Sequence, residues 1–152
     1  MTRTFVLLFS LLLVGCNQAS ESASEEVPYK AIIDSKQMMN WILDRNADVI
    51  WGSAGAIITL EGTQDLAPTT QEGWNAVRDA AATIAEFSNV MMMPGHARAG
   101  ADWIEFAQAL QATAVQLIDA GERKDAQAVF DLGGQLYSVC TACHQLYMLP
   151  DL

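Results

Sequence analysis

The chain reads as all-α, an antiparallel four-helix bundle, on three observations. Four segments carry apolar residues at helical spacing, no stretch sustains strand alternation between turn residues, and the connections are short and rich in turn formers. Short connections between amphipathic helices favour antiparallel neighbours. At 152 residues the chain suits one domain, with the helices in residues 34–152.

The first helix is expected from about Ser35 to Leu60, after a start signal at Asp34-Ser35. Its polar stripe is Gln37, Asn40, Asp44, Asp48, Gly55 and Thr59. The opposite arc carries Met38, Met39, Ile42, Leu43, Val49, Ile50, Ile57 and Leu60. A turn-rich connection, Gly62 to Pro68, follows. Thr69 with Glu72 three residues on predicts a capping box for a second helix that runs to about Met92. That helix turns Trp74, Val77, Ala81 and Ile84 inward, keeps Asn75, Arg78, Asp79 and Glu86 in water, and ends at Pro94-Gly95. The third, about Ala99 to Ala120, uses Trp103, Ala107, Leu110, Ala114 and Leu117 inward and stops at Gly121. The fourth, about Lys124 to Leu149, aligns Val129, Leu132, Leu136, Cys140, Cys143, His144 and Tyr147 before Pro150.

Ahead of these helices the chain has a different character. Residues 1–15 begin with a short basic stretch and continue in an apolar run from Phe5 to Val14 broken only by Ser10. The run is shorter than the roughly 20 residues a bilayer-spanning helix needs, and its flanks are those of a signal peptide. Leu13-Val14-Gly15-Cys16 resembles the lipobox of bacterial lipoproteins, in which the cysteine is diacylated and becomes the first mature residue. An ordinary signal with a coincidental cysteine is the plainer alternative. Two or three acyl chains would anchor the chain stably, where one would not. Residues 16–33 then form a lipidated cysteine and a tether, small, polar and acidic over Asn17 to Glu26. Asn17 does not resemble the aspartate that retains lipoproteins in the inner membrane of enteric bacteria. The expected location is therefore periplasmic, lipid-anchored, with the outer membrane favoured.

Without residues 1–15 the chain keeps seven basic and eighteen acidic residues, a net charge of −11. That excludes nucleic acid as a partner, which wants a basic face. It suits a basic docking face on a partner protein, or serves only solubility. No nucleophile–base pair or pair of carboxylates stands out, so the chain is not read as an enzyme.

The stretch with the most specific chemistry is Cys140-Thr141-Ala142-Cys143-His144. CxxCH is the attachment signature of a c-type haem. Each cysteine adds its sulfur across one vinyl group, and the adjoining imidazole ligates the iron. On a helix the three residues fall at i, i+3 and i+4 and share a face. One haem c is thus the expected cofactor, covalent, near the C-terminal end of the fourth helix. The alternatives are a redox CxxC or half a zinc site. The redox pair would sit near a βαβ pattern, which is lacking. The zinc site would have only His96 to complete four ligands.

A signal peptide, four helices and CxxCH in the last of them resemble the class II cytochromes c, the cytochrome c′ and cytochrome c-556 family. The resemblance covers about Ser35 to Tyr147 and is anchored by the motif, by Tyr147 three residues after His144, and by Trp103. It implies His144 as the fifth iron ligand. It departs from the family where Met148 follows the aromatic, a place commonly basic, which leaves the partner of the haem propionates open. Arg98 is a candidate, although a solvated loop residue is the favoured reading.

Within that family the distal side of the iron separates two activities. The c′ type leaves it open and binds small gases such as nitric oxide. The c-556 type places a methionine from the first helix there and carries electrons. Met39, with Met38 as the alternative, is the methionine expected to be the sixth ligand; core filling is the competing role for both. Of Met91-Met92-Met93, at least one is expected to pack inward. His96, in a loop flanked by glycines, is expected to be exposed rather than a second histidine ligand. Trp41, Trp51, Trp74 and Trp103 are expected in the core, and Gly133-Gly134 marks a close approach or a kink.

These readings converge on a periplasmic monohaem cytochrome carrying single electrons between redox partner proteins. A five-coordinate gas-binding protein is the first alternative, and a haem subunit of a membrane respiratory complex the second. A homodimer is left open.

Overall fold

The computed structural model describes residues 29–148. Cys16, the signal segment, most of the tether, Leu149 and Pro150 lie outside the described residues. Within them the protein is mostly helical, and four helical segments pack against one another.

The first segment joins α1 (Ser35–Met38), a π-helical turn (Met39–Leu43) and α2 (Asp44–Trp51) without a break. Asp34 starts it through a capping box. Its carboxylate accepts the Gln37 N–H at 2.7 Å, and the Gln37 side chain accepts the Asp34 N–H at 3.0 Å. The π turn is closed by the Asp44 N–H donating to the Met39 carbonyl, which inserts one residue into the helical phase. Buried positions consequently fall at Met38, Leu43, Ala47 and Ile50, with a step of five in place of three or four at the π turn.

This segment ends at Trp51, nine residues before the expected Leu60. Gly52 caps it, its N–H donating to the Asp48 carbonyl, and Gly55, at φ +84°, turns the chain away in a conformation that suits glycine. The β-branched Ile57-Ile58-Thr59 then prefers an extended chain. An antiparallel hairpin follows, β1 (Ala56–Thr59) paired with β2 (Gly62–Asp65), Ile57 opposite Gln64 and Ile58 opposite Thr63. The expectation of no strand fails here. So does the inward assignment of Ile57 and Leu60, both exposed, and of Val49, which lies on the wet side of α2.

Helix α3 (Gln71–Met92) is capped one residue later than expected: the Thr70 hydroxyl accepts the Gly73 N–H at 3.1 Å. Thr69 takes no such role, so the sequence pair Thr69/Glu72 is not the box. Trp74, Val77, Ala81 and Ile84 are buried as expected, joined by Met91. Helix α4 (Ala101–Arg123) buries Trp103, Ala107, Leu110, Ala114 and Leu117. It does not stop at Gly121. That glycine lies inside the helix against the α3 backbone, where a Cβ would stand 3.2 Å from the Arg78 nitrogen. The stop is Lys124, at φ 58°. Helix α5 (Ala126–Tyr147) begins at Asp125, whose side chain accepts the Ala128 N–H at 3.0 Å. It buries Val129, Leu132, Leu136 and Cys143.

The α3–α4 interface is the largest, α4–α5 the next, and α2–α5 the thinnest of those formed by the long segments. In the last of these, Trp51 donates its indole N–H to the Gly133 carbonyl at 3.0 Å and meets Tyr137 edge-on. Gly133 thereby fulfils the close-approach reading, while a Cβ on Gly134 would meet nothing. Trp74 and Trp103 are core residues, Trp51 is half-buried, and Trp41 is exposed, contrary to expectation. No described helix is long and apolar enough to cross a membrane.

Candidate functional site

The last two turns of α5 carry the motif. Cys143 is buried, and Cys140 and His144 are half-buried, so the three border the core from one side of the helix. Thr141 and Ala142 belong to the other side. With Tyr137, Ser138 and Gln145 they line a shallow surface hollow of about 280 Å³.

Both cysteines are free thiols. Burial pushes the Cys140 thiol above its ordinary pKa, and the neighbouring Cys143 sulfur and the Asp44 carboxylate push the same way against a backbone hydrogen bond. Burial raises the Cys143 thiol too, opposed by the positive charge of Arg98. A desolvated thiolate is unfavourable, so neither sulfur has the lowered pKa that marks a reactive redox cysteine.

Side chains of other segments act on or meet the end of α5. Asp44 reaches Cys140 electrostatically from the start of α2, and its backbone N–H holds the Met39 carbonyl. Met38 is fully buried in the core; Met39 is half-buried and packs against it. From α4, Trp103 meets Tyr147 edge-on at 5.0 Å between centroids, and its indole N–H donates to the Met91 carbonyl at 2.7 Å. Phe106 also approaches Tyr147 edge-on. These contacts tie the end of α5 to the junction of α3 and α4.

The junction is the loop from Met93 to Gly100, and it corrects one expectation. His96 is not exposed: only 7% of its surface is accessible. The flanking glycines do not loosen the loop, because they let it lie close to its neighbours. A Cβ on Gly95 would stand 3.1 Å from the Ala31 Cβ, and one on Gly100 would stand 3.5 Å from the Tyr147 hydroxyl. The His96 and Ala97 N–H groups both donate to the Met93 carbonyl. Inside this fastened loop, His96 Nδ1 is the one buried side-chain nitrogen or oxygen among the described residues without a hydrogen-bond partner. Such an orphan costs about 1–3 kcal/mol. By contrast the buried hydroxyls of Ser88 and Thr113 are satisfied by the carbonyls of Ile84 and Ala109. Two residues beyond His96, the Arg98 guanidinium lies 5.6 Å over the Trp103 ring. Arg98 makes no ion pair among the described residues, whose pairs belong to Arg78 and Arg123.

The donor set fits a covalently held haem. Two cysteine sulfurs stand one helical turn apart, an imidazole follows the second, and a buried nitrogen without a partner lies on the loop between α3 and α4. Comparison with protein-family models, with curated proteins and with solved structures finds no match to this chain.

Proposed function

We propose that the protein is a periplasmic c-type cytochrome with one haem, held by Cys140 and Cys143, ligated by His144, and employed to carry single electrons. The observation that carries the reading is CxxCH at the core-facing edge of a helix, with Cys143 buried and Cys140 and His144 half-buried beside it. A reactive redox pair would call for a lowered cysteine pKa, whereas burial raises both.

A haem bound there would supply reversible one-electron chemistry at its iron. The chain's part is to fix an axial imidazole, shield the site from water and set the charge around it. Contacts between helices favour an antiparallel bundle of the class II type. Trp51 meets Gly133 and Tyr137, while Asp44, seven residues earlier, acts on Cys140 further along α5. Gln111 of α4 bonds Asn89 of α3, and Gly121 meets Arg78. Continued by equal steps, the first of these registers takes Met39 to the level of Gln145, beside His144.

Met39 is the proposed sixth ligand because Met38 is already consumed by the core; Met38 remains the alternative. Histidine with methionine raises the reduction potential and closes the iron to other ligands. The full burial of Met38 favours the five-coordinate, gas-binding form as second reading, since methionine ligation then rests on one side chain. The exposed Ile57, Ile58 and Leu60 of the hairpin favour the third, a haem subunit docked in a larger membrane complex. The lipid anchor at Cys16 belongs to the proposal on sequence grounds alone, as do a basic face on the redox partner and an outer-membrane location.

The test is the optical spectrum of the ferrous full-length protein with and without carbon monoxide. Sharp α and β bands unmoved by gas support the electron carrier; a high-spin spectrum that shifts selects the gas-binding reading. Absence of covalent haem overturns all three.

A further inference from the structure

A covalent haem brings two carboxylates into the fold, and α5 has no lysine or arginine to meet them. The charge must come from another segment. At the motif end of the molecule the loop between α3 and α4 offers a matched pair: an imidazole nitrogen buried without a partner on His96, and a guanidinium outside any described ion pair on Arg98. We propose that His96 and Arg98 together bind a haem propionate, His96 through a ring N–H and Arg98 through its guanidinium. The proposal rests on the haem reading above.

Several features of the loop agree with this role. Its Met93 carbonyl accepts from the His96 and Ala97 N–H groups, a turn that holds the backbone at His96. Arg98 is oriented by the Trp103 ring, and Trp103 is itself fixed by its bond to the Met91 carbonyl. Arg98 lies over Trp103, and Trp103 meets Tyr147 three residues beyond His144, so the loop and the attachment helix share one neighbourhood. A carboxylate accepts from both, in a charge-assisted arrangement stronger than a neutral hydrogen bond.

The experiment uses the full chain matured with covalent haem, in three variants: His96→Phe, His96→Gln and Arg98→Gln. Resonance Raman reports the propionate-bending band, and the Fe(II)/Fe(III) ratio is read at a fixed poise. His96→Phe and Arg98→Gln are each expected to shift the band and to lower the ratio severalfold, because an uncompensated carboxylate favours the ferric iron. His96→Gln, which keeps an N–H donor, is expected to hold the band near its original place. A band unmoved in both His96→Phe and Arg98→Gln overturns the proposal. So does a change of iron spin state in His96→Phe alone, which would make His96 an iron ligand. Failure to find covalent haem removes the underlying reading as well, and is distinguished by the absence of any haem band. Should circular dichroism show His96→Phe unfolded, the exposed Arg98→Gln and the conservative His96→Gln decide the matter.

Discussion

Replacing Met38 and Met39 singly by alanine separates a core residue from a ligand, because the π turn gives adjacent methionines different surroundings. Met38 has no exposed surface and ranks among the largest fully buried side chains. Truncating such a residue removes its transfer energy and leaves a cavity, a loss of about 2–5 kcal/mol. Met39 is half-buried, and complete burial of a methionine is worth about 1.5–3 kcal/mol. Its truncation should therefore cost about 1 kcal/mol in packing. Urea unfolding followed by far-ultraviolet circular dichroism measures both, and the ferrous spectrum of each holoprotein reads the iron. Met38→Ala is expected to lower the midpoint strongly while the iron stays low-spin. Met39→Ala is expected to lower it little while the iron becomes high-spin and open to carbon monoxide. A high-spin Met38→Ala beside a silent Met39→Ala would refute the assignment and the argument from helical phase beneath it.

Trp103→Phe keeps an aromatic ring but loses indole volume and deletes the 2.7 Å bond to the Met91 carbonyl, leaving that acceptor alone; unfolding should show a loss of at least about 1–3 kcal/mol. Gly121→Ala sets a Cβ 3.2 Å from the Arg78 nitrogen and 3.3 Å from its Cα. Overpacking of that kind costs about 1–3 kcal/mol, more than the roughly 1 kcal/mol of helix propensity gained, so the melting temperature should fall. Gly134→Ala meets nothing within 4 Å and should raise it. Asp125 should contribute to acid sensitivity. The Ala128 N–H holds its carboxyl below the usual carboxylate value, with the Arg123 charge adding to the effect against slight desolvation. A depressed folded-state pKa means stability that is present at neutral pH and lost as pH falls through the folded value. Asp125→Asn should flatten that part of an unfolding-against-pH curve, and an unchanged curve would count against the cap.

The parts of this fold legible in the sequence are those where one rule acts alone. The stripe Trp103, Ala107, Leu110, Ala114, Leu117 has unbroken helical period and is buried throughout. The CxxCH spacing likewise fixes a shared helix face without any tertiary information. Where two rules compete, the pattern misleads. Residues 52–60 fit a helical arc, yet a left-handed Gly55 and three β-branched residues outweigh that fit and give a hairpin. The π turn hides in the same way, since an inserted residue leaves every side chain individually compatible with an α-helix and changes only the phase. That phase decides which methionine the core takes. His96 shows a further limit: glycines on both sides suggest looseness when read in isolation, but Gly95 and Gly100 serve close packing against Ala31 and Tyr147. The result is a buried imidazole with an orphaned nitrogen, which only the contacts between segments could reveal. Under the haem reading proposed above, the shifted methionine phase and the buried histidine are both departures from a local rule in residues assigned to the cofactor. Local rules are expected to yield at such places, because function there sets the conformation in place of propensity.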